Sequence, residues 1–149
     1  MATRYVDPNS SAGGDGTTNA LSGANRAYVS LNAWEAAEQK TTTEVEECIC
    51  STDGGVADST QVDINGWTTS ASNYIDIKAA SSYQHAGAWD TSKYRLQNTS
   101  YLCRVYEDYV RFTGIQFYQN GVNPTHPPNQ ICLNLGVGSV TTNGARVER

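Results

Sequence analysis

The sequence predicts an all-β chain wound as a short β-solenoid, and three observations predict it. The first is a pattern that occurs twice between Glu107 and Arg149, offset by 23 residues. Val110 and Phe112 fall on Leu133 and Leu135, Phe117 falls on Val140, and the Asn120-Gly121 turn falls on Asn143-Gly144. Repetition at this period marks stacked units that bury a shared core, and alternating, β-branched content makes each unit a β coil. The second is composition: 38% hydrophobic residues with 13 Gly suit short strands separated by many turns. The third is the absence of a helical period between Val45 and Ile77, where apolar and polar residues alternate instead. A chain of 149 residues is expected to form one domain.

Arg4-Tyr5-Val6 reads as a strand, followed by Asp7-Pro8-Asn9 and a turn-rich loop through Gly13-Gly14-Asp15-Gly16. Asp7, Asp15 and nearby carbonyls could hold calcium, which takes several oxygens from a flexible loop. Turn chemistry accounts for the same residues without an ion, so no metal is expected. Ser30 to Lys40 is the one helix: Ser30 caps it, and Leu31, Trp34, Ala37 and Glu38 fall at helical spacing, with Lys40 in the last turn. So short a helix must lay Leu31 and Trp34 on an apolar surface. The uncovered first coil is such a surface, so the helix is expected to cap the N-terminal end of the solenoid. Residues 1–44 thereby become an opening loop with a capping helix, and residues 45–149 the coils.

Strands are expected at Val45 to Cys50, Gln61 to Ile64, Tyr74 to Ile77 and Tyr101 to Val105, with two long loops at 81–96 and 122–129. Solenoids place variation and function on such loops. Cys48, Cys50, Cys103 and Cys132 lack paired CxxC spacing, and neither histidine is placed to complete a zinc site, so they read as reduced, buried thiols. His126, among prolines, reads as part of a rigid turn.

Asp58 to Ile64, Gly66-Trp67-Thr68-Thr69, Asn73-Tyr74-Ile75, Trp89 to Leu96 and Glu107 to Ile115 together resemble the N-terminal part of uncharacterised bacterial and environmental proteins of the right-handed parallel β-helix, pectate-lyase-like class. The opening Tyr5-Val6-Asp7-Pro8-Asn9 is similar to their opening segment. The likeness covers most of residues 4 to 121 and implies a short right-handed parallel β-helix. It implies no activity, because the class mixes lyases, hydrolases and phage appendages and none of its catalytic motifs maps onto this chain.

Polysaccharide cleavage would need paired carboxylates, or a carboxylate with a cation. Asp63, Asp76, Asp90, Glu107 and Asp108 supply the acids, and Arg104 or Arg111 the cation. Asp63 and Asp76, outward on consecutive strands, are expected to stack about 4.8 Å apart, where they could share a cation or simply keep a β face wet. His85, Trp89, Asp90, Lys93, Tyr94 and Arg95 form the densest ligand-binding candidate, because flat aromatics beside polar groups suit sugars. The same aromatics could instead pin the loop to the wall.

Net charge of −5 without a Lys/Arg cluster argues against nucleic acid and anionic membrane as partners. No apolar run is long enough for a membrane span, and the N-terminus has no secretory signal, so a cytoplasmic location is expected, with an extracellular or phage-associated one left open. Val140 to Arg149 stop while still in pattern, which predicts a homo-oligomer, most simply a dimer, joined through Leu133, Leu135, Val137, Val140 and Val147. The function expected is therefore a non-catalytic, self-associating module with a structural or glycan-binding role. The alternatives are a polysaccharide lyase or hydrolase acting at residues 85–95, and an appendage-like receptor-binding fragment.

Overall fold

The computed structural model describes residues 1–119 and the strands Leu133–Leu135 and Arg146–Glu148, the last as backbone alone. Ten strands are described: β1 (Ala2–Val6), β2 (Glu46–Cys50), β3 (Val62–Ile64), β4 (Ile75–Ala79), β5 (Arg95–Asn98), β6 (Cys103–Val105), β7 (Val110–Thr113), β8 (Gln116–Gln119), β9 (Leu133–Leu135) and β10 (Arg146–Glu148). One helix, α1 (Leu31–Glu38), lies between β1 and β2, and two 3-10 turns lie at Asp53–Gly55 and Ser81–Tyr83.

The strands form three small sheets, ordered β1-β2-β4-β7-β10, β3-β6-β9 and β5-β8, and every pairing is parallel. Strand pattern explains the faces. In β4, Ile75, Ile77 and Ala79 are buried while Asp76 and Lys78 between them reach water. Register stacks like on like: Cys48 lies beside Ile77 and Ile77 beside Phe112, and all three are buried. One hydrophobic cluster gathers the inward residues of all three sheets, together with Leu31 and Trp34 of α1.

The chain is thus mixed α/β, with several small parallel sheets and a helix in the core, and this corrects the all-β expectation of a closed right-handed β-helix under a separate cap. Trp34 is 1% exposed and stacks on Trp67, with ring centroids 5.4 Å apart. The helix is therefore part of the core rather than a lid upon it. Alternation reports that a strand has one dry face; it does not report how many sheets share the dry interior. Ala37, expected inward, is exposed, and Glu35 is buried in its place.

The 23-residue repeat is likewise not the stacking register. Leu133 pairs with Cys103 of β6, and Arg146 with Arg111 of β7, so the two matched copies belong to different sheets. Nor do Asp63 and Asp76 stack, because β3 and β4 lie in different sheets. The residue beside Asp63 is Arg104, and the two form an ion pair through both carboxylate oxygens.

Helix α1 owes little to its own length, since eight residues are marginal alone. Carboxylates anchor it at three points. At its start, the Leu31 N–H donates to Asp58 (2.7 Å), while the Ser30 hydroxyl accepts from Ala33 N–H (3.0 Å). In its middle, buried Glu35 accepts from Asn65 N–H (3.0 Å), the Trp67 indole (3.3 Å) and Gln39 (2.7 Å). Near its end, Glu38 accepts from Arg4 (2.7 Å) and the Tyr28 hydroxyl (2.8 Å). Trp34→Ala should lower unfolding free energy by about 3–5 kcal/mol; urea denaturation checks this, and a loss below about 1 kcal/mol would show that the helix is not part of the core.

Candidate functional site

The loop between β4 and β5 carries the six ligand-binding candidates, and the structure divides them. Tyr94 is fully buried, and its hydroxyl donates to Asp58 Oδ2 at 2.9 Å. Arg95 opens β5 and is 9% exposed. Its Nη1 donates to the carbonyls of Gly55 (2.9 Å) and Thr91 (2.6 Å), and its Nε to Gln97 (2.9 Å). Tyr94 therefore belongs to the core, and strand β5 follows it from Arg95. Tyr94, expected among the groups that meet a ligand, is thus placed in the interior. The strand was hidden because polar Arg95 and Gln97 flank Leu96, while the aromatics before them read as loop.

The other four stay at the surface. The His85 Nδ1 accepts from Gly87 N–H at 3.0 Å, closing a local turn. Lys93 donates from Nζ to the Ser82 carbonyl at 2.9 Å. The Asp90 carboxylate accepts from Ser92 N–H (2.8 Å) and the Ser92 hydroxyl (2.7 Å), which hold its pKa below the usual carboxylate value. An acid held ionised in this way is poorly suited to donate a proton. Trp89 is 49% exposed, and its ring meets that of Tyr118 at 4.9 Å with a 52° tilt.

Tyr118 and Gln116 were not among the candidates, and they are what positions Trp89. Both lie on β8, where alternation turns Phe117 toward the core and Tyr118 outward, 46% exposed. The buried Gln116 side chain accepts from Asp90 N–H and donates to the Asp90 carbonyl, each at 2.8 Å. That two-point clamp fixes the residue next to Trp89 and sets one ring against the other. The outward tyrosine could have been found from the alternation in Gln116-Phe117-Tyr118-Gln119; the clamp could not.

The catalytic alternative finds no convergence among the described residues. Asp63 is paired with Arg104, whose guanidinium also lies over the Tyr101 ring at 4.0 Å. Asp76 shares Lys78 with Glu47, and Arg111 stacks on Tyr74 at 3.7 Å. Glu107 accepts from Trp67 N–H (3.0 Å) beside a hollow of about 220 Å³ that Asp108 also lines. A larger open hollow of about 550 Å³ lies over Arg95, between Gly54-Gly55 and Thr91-Ser92.

Asp7 is buried, and its carboxylate accepts from Asn9 N–H (2.9 Å) and Asp53 N–H (3.0 Å); Asp15 accepts from Thr17. Both serve turns. Among the described residues no group of three His, Cys, Asp or Glu is placed to hold a metal. Cys48, Cys50 and Cys103 are free and buried, with Cys48 and Cys50 sulfurs 3.9 Å apart. Of the proposed interface, Leu133 packs on the core and Leu135 is 39% exposed. The side chain of Val147 and all of Val137, Val140, Cys132, His126 and loop 122–129 lie outside the described residues. No described helix is long and apolar enough to cross a membrane. Comparison of the chain with protein-family models, curated proteins and solved structures returned no match, so nothing there bears on the pectate-lyase-like resemblance.

Asp58 is a buried carboxylate that carries an electrostatic cost. Burial pushes its pKa up, against the hydrogen bonds from Leu31, Thr60 and Tyr94 that favour the anion. With a folded pKa above the unfolded value of about 3.9, the folded state holds the proton more tightly. This group's contribution to stability is therefore greatest at low pH and is lost as pH rises from about 4 through the folded pKa. Asp58→Asn should remove that slope from a plot of unfolding free energy against pH. The loss of one accepting carboxylate oxygen should also cost about 1–3 kcal/mol where wild-type Asp58 is ionised, offset by relief of the buried charge.

Proposed function

We propose that this chain is a non-catalytic carbohydrate-binding module whose contact surface is the Trp89–Tyr118 pair. The observation that carries this reading is two large aromatic rings, each about half exposed, held against each other at 4.9 Å by a buried clamp. Exposed aromatic rings are unfavourable in water unless something covers them, and the apolar C–H face of a sugar ring does so while its hydroxyls stay wet. Thr91 and Ser92 put exposed hydroxyls on the same loop, next to the Asp90 carboxylate. The binding reading is favoured over the catalytic one because the loop's ionisable groups are occupied in holding its shape.

Trp89→Ala should weaken glycan binding by about tenfold or more, with little change in melting temperature because the side chain is half exposed. Glycan-array screening of the wild type followed by calorimetry on the best ligand checks this. Unaltered affinity in both Trp89→Ala and Tyr118→Ala would sink the proposal. So would pectate or alginate cleavage that Asp90→Asn abolishes.

A second reading, self-association, rests on β9, an edge strand among the described residues that exposes Leu135. It predicts a dimer by light scattering at micromolar concentration, which Leu135→Asp converts to monomer. Monomeric elution of the wild type would count against it.

A further inference from the structure

We propose that the hollow over Arg95 binds a compact oxyanion, either a free inorganic one or the sulfate or carboxylate group of an anionic sugar. Arg95 is more than nine-tenths buried, yet none of the ion pairs among the described residues includes it. An arginine so largely buried ordinarily has a counter-charge, because neutral partners only partly replace its hydration. The partners of Arg95 are all neutral: the Gly55 and Thr91 carbonyls and the Gln97 amide oxygen.

Donor accounting says where the counter-charge would sit. A guanidinium has five N–H groups. Nε uses its one on Gln97, and Nη1 uses both of its own on Gly55 and Thr91. Both hydrogens of Nη2 are left without a partner among the described residues, on a residue that lines the 550 Å³ hollow. In the wall, the Thr52 and Ser92 hydroxyls already donate, to Val56 O (2.6 Å) and Asp90 (2.7 Å). The hydroxyls of Tyr83 and Thr91 have no partner among the described residues and are free to donate. The hollow thus offers several donors and no acidic lining residue.

Geometry narrows the ligand. With Nε and Nη1 engaged, Arg95 cannot grip a planar carboxylate side-on through two nitrogens, so contact is end-on through Nη2. That suits a tetrahedral oxyanion, or one oxygen of a carboxylate. Gly55 keeps the wall close: at φ +72°, a Cβ there would lie 2.9 Å from the Thr91 carbonyl. The chain's net charge of −5 opposes diffuse anion binding, so binding here must be local.

The test is a titration of the ¹⁵N-labelled protein with sodium sulfate, against sodium chloride at equal ionic strength. Saturable shifts at the Arg95 Nε–Hε and the amides of Gly55 and Ser92, seen with sulfate alone, are expected. Shifts that match those in chloride, or that gather at Arg4, Arg26 or Lys93 instead, overturn the proposal. Arg95→Gln should weaken sulfate binding about 10- to 100-fold. Because Arg95 also ties two loops together, Tyr83→Phe is the gentler variant and should weaken binding several-fold; unchanged affinity in both variants overturns the assignment. A sulfated monosaccharide that binds more tightly than sulfate identifies the anionic sugar as the source, and equal affinity identifies the free anion. Trp89→Ala should leave sulfate affinity unchanged, which separates this site from the aromatic surface.

Discussion

The interaction on which the rest depends is the buried carboxylate of Asp58. It accepts from the first N–H of α1, from Thr60 N–H and from the Tyr94 hydroxyl, while its own backbone pairs with β5 through Arg95 and Gln97. One residue thereby joins the start of the helix, the strand after the long loop and the aromatic at the centre of the core. A charge so placed is costly, and the three donors are what make it tolerable. The partial positive charge at a helix N-terminus adds to this in the same direction.

The same logic runs along α1. Glu35 and Glu38, on the helix itself, tie its middle and its end to other segments, so a helix too short to persist alone is fixed by Asp58 from outside and by two of its own acids. Its apolar contribution, Leu31 and Trp34, then joins the same buried cluster as the inward residues of the three parallel sheets. Parallel strands cannot be joined by tight hairpins, so long connections are unavoidable in this chain. The loop between β4 and β5 is one of them.

That loop uses its polarity on its own shape. His85, Asp90, Lys93 and Arg95 all bond to nearby backbone or side-chain groups, and Gln116 clamps the loop from the neighbouring strand. What is left facing outward is aromatic, at Trp89 and at Tyr118 on the neighbouring strand, while Arg95 is buried and lines the larger hollow. A surface of this kind can bind through ring faces and donated hydrogen bonds, but it does not bring together an acid and a base.

Local patterning by itself determined the strands at β1, β2, β3, β4, β6 and β7 and the helix with its Ser30 cap, because alternation, helical spacing and capping are properties of a few consecutive residues; it left open whether Trp89 faces a ligand or pins its loop. Only the tertiary structure decided that the strands divide among three sheets, that Leu133 belongs beside Cys103, and that α1 lies within the core. It alone decided that Asp63 meets Arg104 rather than Asp76, that Tyr94 turns in to Asp58, and that Tyr118 meets Trp89. Each of these joins residues distant along the chain, and a period read within one segment carries no information about which distant segment will lie beside it.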